Sequence, residues 1–112
     1  QIAYSSAKAG IIGMTKTIAK EWGRYNVTSN CVAFGPIDTR LTQAYSTVPP
    51  TIDVAGGEFK VGLSEKERDR LAAMSPLGRT GSPDDAAGAV YLFCILESNF
   101  ITGEVLTCAG GL

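Results

Sequence analysis

Residues 2–24 read IAYSSAKAGIIGMTKTIAKEWGR and carry the clearest periodic pattern of the chain. Their apolar side chains recur at spacings of four, four, three, four and four residues, at Ala3, Ala7, Ile11, Met14, Ile18 and Trp22. Such spacing places all of them on one face of an α-helix. Gly23 and Asn26 are residue types that commonly end a helix. The pattern therefore predicts an amphipathic helix over roughly residues 2–24.

The segment after this helix resembles a buried strand followed by a long loop. Residues 27–34 are a short, largely apolar run with β-branched members, and Gly35-Pro36 closes it. A helix followed by a buried strand is half of a βαβ unit, which predicts an α/β fold. Residues 40–63 lack periodicity and contain paired prolines and paired glycines, so we expect a long irregular excursion there.

Local signals predict two more helices and a final strand. A serine followed three residues later by a glutamate has the spacing of a capping box and predicts a short helix over residues 64–74. A serine N-cap, a proline and two aspartates predict a further helix over residues 82–96. Residues 104–108, bounded by glycines, predict a last short strand.

Composition and charge exclude several classes of partner. The 112 residues, 45% hydrophobic and 19% charged, suit one globular unit or a piece of one. A formal charge of -1 gives too weak a field to hold a polyanion, so nucleic acid is not an expected partner. No apolar run approaches the roughly 20 residues that cross a bilayer, and no secretion signal is present. We therefore expect neither membrane insertion nor export.

The cysteines and the lack of histidine limit the available chemistry. Cys31, Cys94 and Cys108 are odd in number, far apart, and without a partner at metal-ligand spacing. We expect reduced, buried thiols in a cytoplasmic protein, and no metal site. The sequence contains no histidine, so any acid/base chemistry must use Tyr, Lys, Asp or Glu.

Tyr4 and Lys8 stand four residues apart on the first predicted helix, so their side chains share a face. A phenol with a pKa of about 10 is a poor proton shuttle near neutral pH, but a nearby ammonium stabilises its phenolate and lowers the pKa. Tyr4 could then donate a proton to a carbonyl oxygen, or accept one from an alcohol. Taken alone, the pair is more simply explained as a boundary tyrosine beside a solvated lysine.

Four motifs that follow one another along the chain favour the proton-transfer interpretation of this pair. They are YSSAKAG at residues 4–10, VTSNCVAFGPIDT at 27–39, PLGRTGSPDD at 76–85 and ITGE at 101–104. In this order they resemble the short-chain dehydrogenase/reductases, most nearly the 3-oxoacyl-acyl-carrier-protein reductases, across essentially the whole chain. The resemblance implies the C-terminal portion of a Rossmann-type, doubly wound parallel sheet. Residues 1–112 would form one fragment of a single NAD(P)-binding domain, with a substrate lid at 40–75.

The resemblance also assigns roles. Tyr4 is implied to be the catalytic acid/base, and Lys8 is implied to lower its pKa and bind the nicotinamide ribose. The Gly35 and Ile37 backbones are implied to approach the nicotinamide, and the Thr39 hydroxyl its carboxamide or a phosphate. The full set of implied cofactor-binding residues is Tyr4, Lys8, Gly35, Pro36, Ile37 and Thr39.

Other prominent residues are expected to be structural. Asn30 is implied to bond to backbone within the fold, whereas Arg79, Asp84 and Asp85 are expected to serve packing and capping. Trp22, Met14 and the cysteines are assigned to the core or an interface. The chain departs from the family pattern at Phe34, where proline is common, and at Ala109, where aspartate is common.

The implied activity is that of an NAD(P)(H)-dependent oxidoreductase that interconverts a carbonyl and a secondary alcohol, such as a 3-oxoacyl group. The family's glycine-rich turn and catalytic serine have no counterpart in these 112 residues. We therefore expect the chain to be an inactive fragment, and the preference between NAD and NADP is unreadable. An uncovered sheet edge would make the chain either a truncated or proteolytic remnant or a homo-oligomer, a dimer or tetramer. The alternative is a non-catalytic oligomerisation or interaction module.

Overall fold

The computed structural model describes residues Gln1–Leu112, whose contacts group into two compact units. The first unit comprises residues 1–33 and 87–107, and the second comprises residues 34–86 and 108–112. Three α-helices and six strands make up an α/β chain, as predicted. In chain order they are α1 (Ile2–Trp22), β1 (Cys31–Phe34), β2 (Ala44–Tyr45), β3 (Thr51–Val54), β4 (Gly57–Lys60), β5 (Leu63–Ser64), α2 (Glu65–Met74), α3 (Pro83–Tyr91) and β6 (Val105–Cys108).

Helix α1 confirms the first predicted helix. After Trp22 the chain continues as a 3₁₀ turn to Tyr25. Gly23 keeps right-handed helical geometry with a φ of -55°, whereas Asn26 is left-handed with a φ of 61°. Asparagine tolerates that conformation better than most residues. Of the two predicted stop signals, Asn26 is therefore the one that ends the helical segment.

Strands β1 and β6 form a two-stranded sheet. The Cys31 N–H donates to the Glu104 carbonyl at 2.9 Å, and the Gly35 N–H donates to the Cys108 carbonyl at 3.0 Å. The residue numbers of both strands increase in the same direction from the first bond to the second, so the two strands are parallel. The predicted final strand is confirmed.

The predicted buried strand over residues 27–34 is wrong in length and in burial. Only Cys31–Phe34 is extended into a strand, and Ala33 and Phe34 are exposed. β1 has β6 as its single neighbour in the sheet, so its other edge is uncovered. A strand paired on one side cannot have the burial that its apolar composition predicts.

The Asn30 side chain joins the approaches to β1 and β6. Its Nδ2 donates to the Ile101 carbonyl at 2.9 Å, and its Oδ1 accepts from the Glu104 N–H at 3.1 Å. Beside it, the Ser29 N–H donates to Thr102 Oγ1 at 3.0 Å. The structural role expected of Asn30 is confirmed.

Helix α3 is shorter than predicted, ending at Tyr91 instead of about Leu96. After Tyr91 the backbone changes from α-helical to 3₁₀-type hydrogen bonds, since the Cys94 N–H donates to the Tyr91 carbonyl three residues back. Ile95 then adopts an extended backbone with a ψ of 156°. Its carbonyl accepts from both the N–H and the hydroxyl of Ser98, which closes a separate 3₁₀ turn over Leu96–Ser98.

Residues 40–63, expected to be irregular, contain a β-hairpin. β3 and β4 pair antiparallel, with Thr51 opposite Lys60 and Val54 opposite Gly57. Ala55 and Gly56 connect them with φ values of 54° and 81°, the positive values that a type I′ turn requires. An alanine rarely occupies the first of these positions, so the turn lacked the usual Asn-Gly signal.

The remaining elements of the second unit surround α2. β2 pairs parallel with β5, with Ala44 opposite Leu63. Ser64 then begins α2 with a full capping box, because its Oγ accepts from the Glu67 N–H and its own N–H donates to the Glu67 carboxylate. These bonds to Ser64 lower the pKa of Glu67 below its ordinary value. The predicted helix over residues 64–74 is confirmed.

Little of the apolar surface is buried. Ala19 and Ala89 are the only apolar residues that are less than a tenth exposed. Trp22 and Met14, assigned to the core or an interface, are each more than half exposed. The three cysteines are free, but the prediction that they are buried is wrong, since two are half-buried and Cys94 is exposed. The cause is the small number of packed layers, which leaves broad helix faces uncovered.

None of the helices combines the length and apolar character that crossing a membrane requires.

Removing the Asn30 side chain tests how far its bonds hold the two strands. Asn30→Ala should lower the free energy of unfolding by about 1–3 kcal/mol, because two backbone groups lose their partner. The matched control is Asn99→Ala, since Asn99 is exposed and its side chain makes no hydrogen bond, and it should change stability by less than about 0.5 kcal/mol. Denaturant unfolding measures both; equal effects would contradict the role of Asn30.

Candidate active site

Tyr4 and Lys8 lie one helical turn apart in the first unit. Both are exposed, Tyr4 by 68%, so its phenol is open to solvent or to a ligand. Lys8 Nζ lies 5.4 Å from the centroid of the Tyr4 ring. The two side chains therefore share a face of α1, as the spacing predicts, with the ammonium beside the phenol ring.

The implied nicotinamide loop lies in the second unit and begins at Gly35, where β1 ends. A side chain on Gly35 would place its Cβ 2.7 Å from the Ala109 Cβ and 2.9 Å from the Ala109 Cα. The backbone of Ala109 cannot withdraw without disturbing the bond between Gly35 and Cys108. Glycine is therefore required here by close packing and not only as the start of a turn.

The loop is then held against the segment before α3. The Gly81 N–H donates to the Pro36 carbonyl at 2.9 Å, and the Asp38 N–H donates to the Gly81 carbonyl at 2.8 Å. Ile37 lies opposite Gly81 in this short parallel bridge. A Cβ on Gly81 would meet the Ile37 Cδ1 at 2.5 Å, so a glycine allows this close approach.

Asp85 organises the segment that holds the loop. Its carboxylate accepts two bonds from Arg79, at 2.6 Å and 3.1 Å, and one each from the N–H and hydroxyl of Ser82, at 2.7 Å and 3.0 Å. The Asp85 N–H in turn donates to Ser82 Oγ at 3.1 Å, which caps α3. Bonding to Arg79 and then to Ser82 holds the pKa of Asp85 well below its ordinary value. The capping expected of Asp85 is confirmed, and Arg79 supports it through an exposed ion pair, whereas Asp84 lies in the first turn of α3 without a side-chain hydrogen bond.

Thr42 completes the loop and was missed by the sequence reasoning. Its Oγ1 accepts from the Thr39 N–H at 2.8 Å and donates to the Ile37 carbonyl at 2.6 Å. The Thr42 N–H also donates to the Thr39 carbonyl at 3.0 Å. A threonine three residues after Thr39 is the one sequence signal for such a turn, and it is weak because hydroxyl residues are common in loops.

The loop carries groups that fit the carboxamide of a nicotinamide. The Ile37 N–H takes part in no hydrogen bond within the chain, so it can donate to a carbonyl oxygen. Thr39 is exposed, and its hydroxyl can bind an amide nitrogen. A cavity of about 490 Å³ adjoins it, lined by Asp38, Thr39, Arg40, Gln43, Ala44, Arg68 and Pro83. The predicted site residues thus fall into two groups, Tyr4 with Lys8 in one unit and the loop in the other.

Comparison with known proteins identifies the family. The family described as Enoyl-(Acyl carrier protein) reductase matches residues 1–112. The chain belongs to the short-chain dehydrogenase/reductases. A short chain dehydrogenase of known structure from Bacillus anthracis shares 35% identity with a TM-score of 0.67, over 94% of this chain and 34% of that one. A 4-hydroxyisoleucine dehydrogenase complexed with NADH and succinate has a TM-score of 0.74 at 24% identity, over 99% of this chain and 38% of that one. Together they show that the fold is part of the Rossmann-like fold of this family.

Two similar members of the family have names that refer to acyl derivatives. A 3-oxoacyl-[acyl-carrier-protein] reductase from Aquifex aeolicus is 38% identical over 112 residues, covering 100% of this chain and 38% of the relative. A (3R)-3-hydroxyacyl-CoA dehydrogenase from Mus musculus is 37% identical, covering 100% and 36%. The chain therefore spans little more than a third of the length of these curated relatives.

Because of the hydrogen bonds of the Asp85 carboxylate, we expect the free energy of unfolding to depend on pH in the acidic range. Because its pKa is lowered from 3.8 in the folded protein, its contribution to stability is present above pH 3.8 and is lost as the pH falls through the folded value. Asp85→Asn should be less stable than the parent at neutral pH, and this difference should shrink between about pH 5 and about pH 2. Urea unfolding across that range measures it.

Asp84→Asn is the matched control, because Asp84 lies in the same first turn but makes no bond to Arg79. It should leave the acid dependence of the parent unchanged. A difference between Asp85→Asn and the parent that stays constant with pH would contradict the assigned role of the carboxylate.

Proposed function

We propose that this chain is the C-terminal part of an NAD(P)(H)-dependent oxidoreductase that interconverts a carbonyl and a secondary alcohol. The observation that carries the proposal is the exposed Tyr4 and Lys8 pair on one face of α1. The relatives named as reductases and dehydrogenases support it. So does the loop at Ile37 and Thr39, whose free groups match a carboxamide.

The chain's own residues would manage the proton and the position of the nicotinamide. In reduction, the Tyr4 hydroxyl gives its proton to the substrate carbonyl oxygen, and the resulting phenolate is stabilised by the Lys8 ammonium. The dinucleotide, when bound, supplies the hydride that reaches the carbonyl carbon. Gly35, Pro36, Ile37 and Thr39 would hold the nicotinamide ring, Ile37 through its N–H and Thr39 through its hydroxyl. In oxidation, Tyr4 accepts the alcohol proton instead.

A 3-oxoacyl thioester is the proposed substrate class. The two relatives described above are named for acyl-carrier-protein and CoA derivatives. We assign residues 40–75 as the substrate lid. Arg68 of α2 bonds to Asp38 of the nicotinamide loop at 2.7 Å, and this ion pair supports a lid that is coupled to the loop. The residues that choose NAD or NADP lie outside this chain in our proposal.

The chain would work within a larger assembly. We propose that residues 1–112 are a fragment of a single NAD(P)-binding domain, that the full protein is a homo-oligomer, a dimer or tetramer, and that it acts in the cytoplasm. Exposed apolar side chains of the first unit, above all Phe100 and Leu96, support the proposal that another protein surface covers them in the assembly. The same surface favours the second candidate, a non-catalytic oligomerisation or interaction module.

Replacing the phenol tests the proton-transfer role. In the full-length protein, Tyr4→Phe should reduce kcat for carbonyl reduction by about 10²- to 10⁴-fold, because the general acid is lost. Tyr25→Phe is the matched control, since Tyr25 is also exposed and lies 4.9 Å from a cation, Arg24. It should retain full activity. Undiminished turnover in Tyr4→Phe would reject the role of Tyr4.

Titration of the 112-residue chain separates the two candidates. An incomplete site should give no saturable binding of NADH or NADPH at micromolar concentration, whereas the full-length protein should bind one of them. Fluorescence of the reduced nicotinamide reports both. Micromolar binding by this chain alone would contradict the claim that its site is incomplete, and a full-length protein that binds neither dinucleotide would favour the interaction module.

A further inference from the structure

We propose that Thr42 is a positioning residue that orients the hydroxyl of Thr39, so that Thr39 offers its ligand a hydrogen-bond acceptor and not a donor. This inference deepens the proposed function and rests on it. It concerns a side chain to which the family resemblance assigns no role. Its basis is the hydrogen bonding around a single oxygen atom, Thr42 Oγ1.

A threonine hydroxyl has one proton to donate and two lone pairs to accept with. Thr42 Oγ1 has a carbonyl oxygen, that of Ile37, at 2.6 Å, the shortest of its contacts. A carbonyl cannot donate, so the single proton of Thr42 lies in this bond. The contact to the Thr39 carbonyl is much longer, at 3.4 Å. Thr42 Oγ1 can therefore only accept from its remaining neighbours.

Two groups of Thr39 lie beside the lone pairs of Thr42 Oγ1. One is the Thr39 N–H, at 2.8 Å. The other neighbour is Thr39 Oγ1, at 3.3 Å, a pair in which either oxygen could donate on distance alone. Because the Thr42 proton is already engaged at Ile37, Thr42 cannot donate here, and the Thr39 hydroxyl is the only possible donor of this longer contact. In the arrangement that we propose, the Thr39 proton is held toward Thr42, and the Thr39 lone pairs remain for a ligand.

This polarity selects the chemistry of the group that Thr39 can bind. A phosphate oxygen accepts hydrogen bonds and has no proton to give at neutral pH, so it finds no partner in the Thr39 lone pairs. A carboxamide nitrogen donates and does find one. The free N–H of Ile37, two residues earlier, matches the carbonyl oxygen of the same amide. Of the two contacts open to Thr39, the arrangement thus favours an N–H donor.

Thr42 also holds the backbone that presents both groups. Its hydroxyl bonds to the carbonyl of Ile37 and to the N–H of Thr39, so one side chain spans the segment between them. Gly81 constrains the other side of the same segment through Pro36 and Asp38. Thr42 lies outside the groups that touch the cofactor in our proposal, so it acts through Thr39 and Ile37.

The test compares two cofactors that differ only in the amide. In the 3-acetylpyridine analogue a methyl group replaces the carboxamide NH₂, while the carbonyl oxygen is kept. Dissociation constants of the full-length protein are measured by fluorescence for the reduced dinucleotide that binds, NADH or NADPH, and for its analogue. The unsubstituted protein should bind the dinucleotide that carries the carboxamide more tightly than the analogue. Thr42→Val, which removes the hydroxyl at nearly constant volume, should reduce that preference by about threefold to tenfold.

Two further variants control for a merely structural effect. Thr42→Ser keeps the hydroxyl and should retain the parent's preference. Thr39→Val removes the acceptor itself and should reduce the preference at least as far as Thr42→Val. A second readout needs no cofactor: the Thr39 amide should exchange with solvent about tenfold faster in Thr42→Val than in the parent or Thr42→Ser.

Failure of this inference can be told from failure of the proposed function. If the full-length protein binds a dinucleotide and reduces carbonyls, but Thr42→Val keeps the parent's preference for the carboxamide, the polarity assignment is overturned and the function stands. If Thr39→Val weakens both cofactors equally, Thr39 contacts a group other than the amide, which also overturns it. If neither dinucleotide binds, the proposed function and this inference fall together.

Discussion

The parallel pairing of Cys31–Phe34 with Val105–Cys108 is the interaction on which the other parts depend. It joins segments some seventy residues apart along the chain, and closing that loop costs chain entropy that the pairing must offset. The Asn30 amide reinforces the pairing by binding backbone on both sides of Thr102 and Gly103. The chain enters this strand pair from α1 through Asn30 and leaves it at Gly35 into the nicotinamide loop.

The same pairing explains why so much apolar surface stays exposed. Parallel strands are stable when helices cover both faces of their sheet and other strands cover their edges. Here the sheet has two strands, and the buried apolar residues of the chain are two helical alanines, Ala19 and Ala89. Side chains as large as Phe100 remain in solvent. Exposed apolar surface of this extent is the observation behind the proposed assembly.

Precision in the nicotinamide loop comes from hydrogen bonds and close packing instead of burial. Gly35 lets the backbone approach the Ala109 Cα more closely than a side chain would permit, and at Gly81 a side chain would require the Ile37 side chain to move. Asp85 holds the Gly81 segment through four accepted bonds, and Thr42 holds the opposite side through one oxygen. Rigid presentation of a few polar groups is what a cofactor site needs, because loose groups lose the geometry of the reaction.

Signals confined to neighbouring residues were read correctly from the sequence: the period of α1, the capping box at Ser64 and the cap at Ser82. Two features were not predicted. The hairpin turn has an alanine where Asn or Gly is usual, so it carries no turn signal in the sequence. The early end of α3 comes from a change to 3₁₀ hydrogen bonding, which does not alter the pattern of apolar residues. By itself the sequence determined the α/β class and the Tyr4 and Lys8 pair, since these follow from spacing along the chain, and its four ordered motifs carried the resemblance to the family. Only the tertiary structure decided which residues hold the loop. Gly81 bonds to it from more than forty residues along the chain, Asp85 holds the Gly81 segment, and Thr42 bonds to two backbone groups of the loop through one oxygen, because such contacts depend on how the chain folds back and not on local spacing.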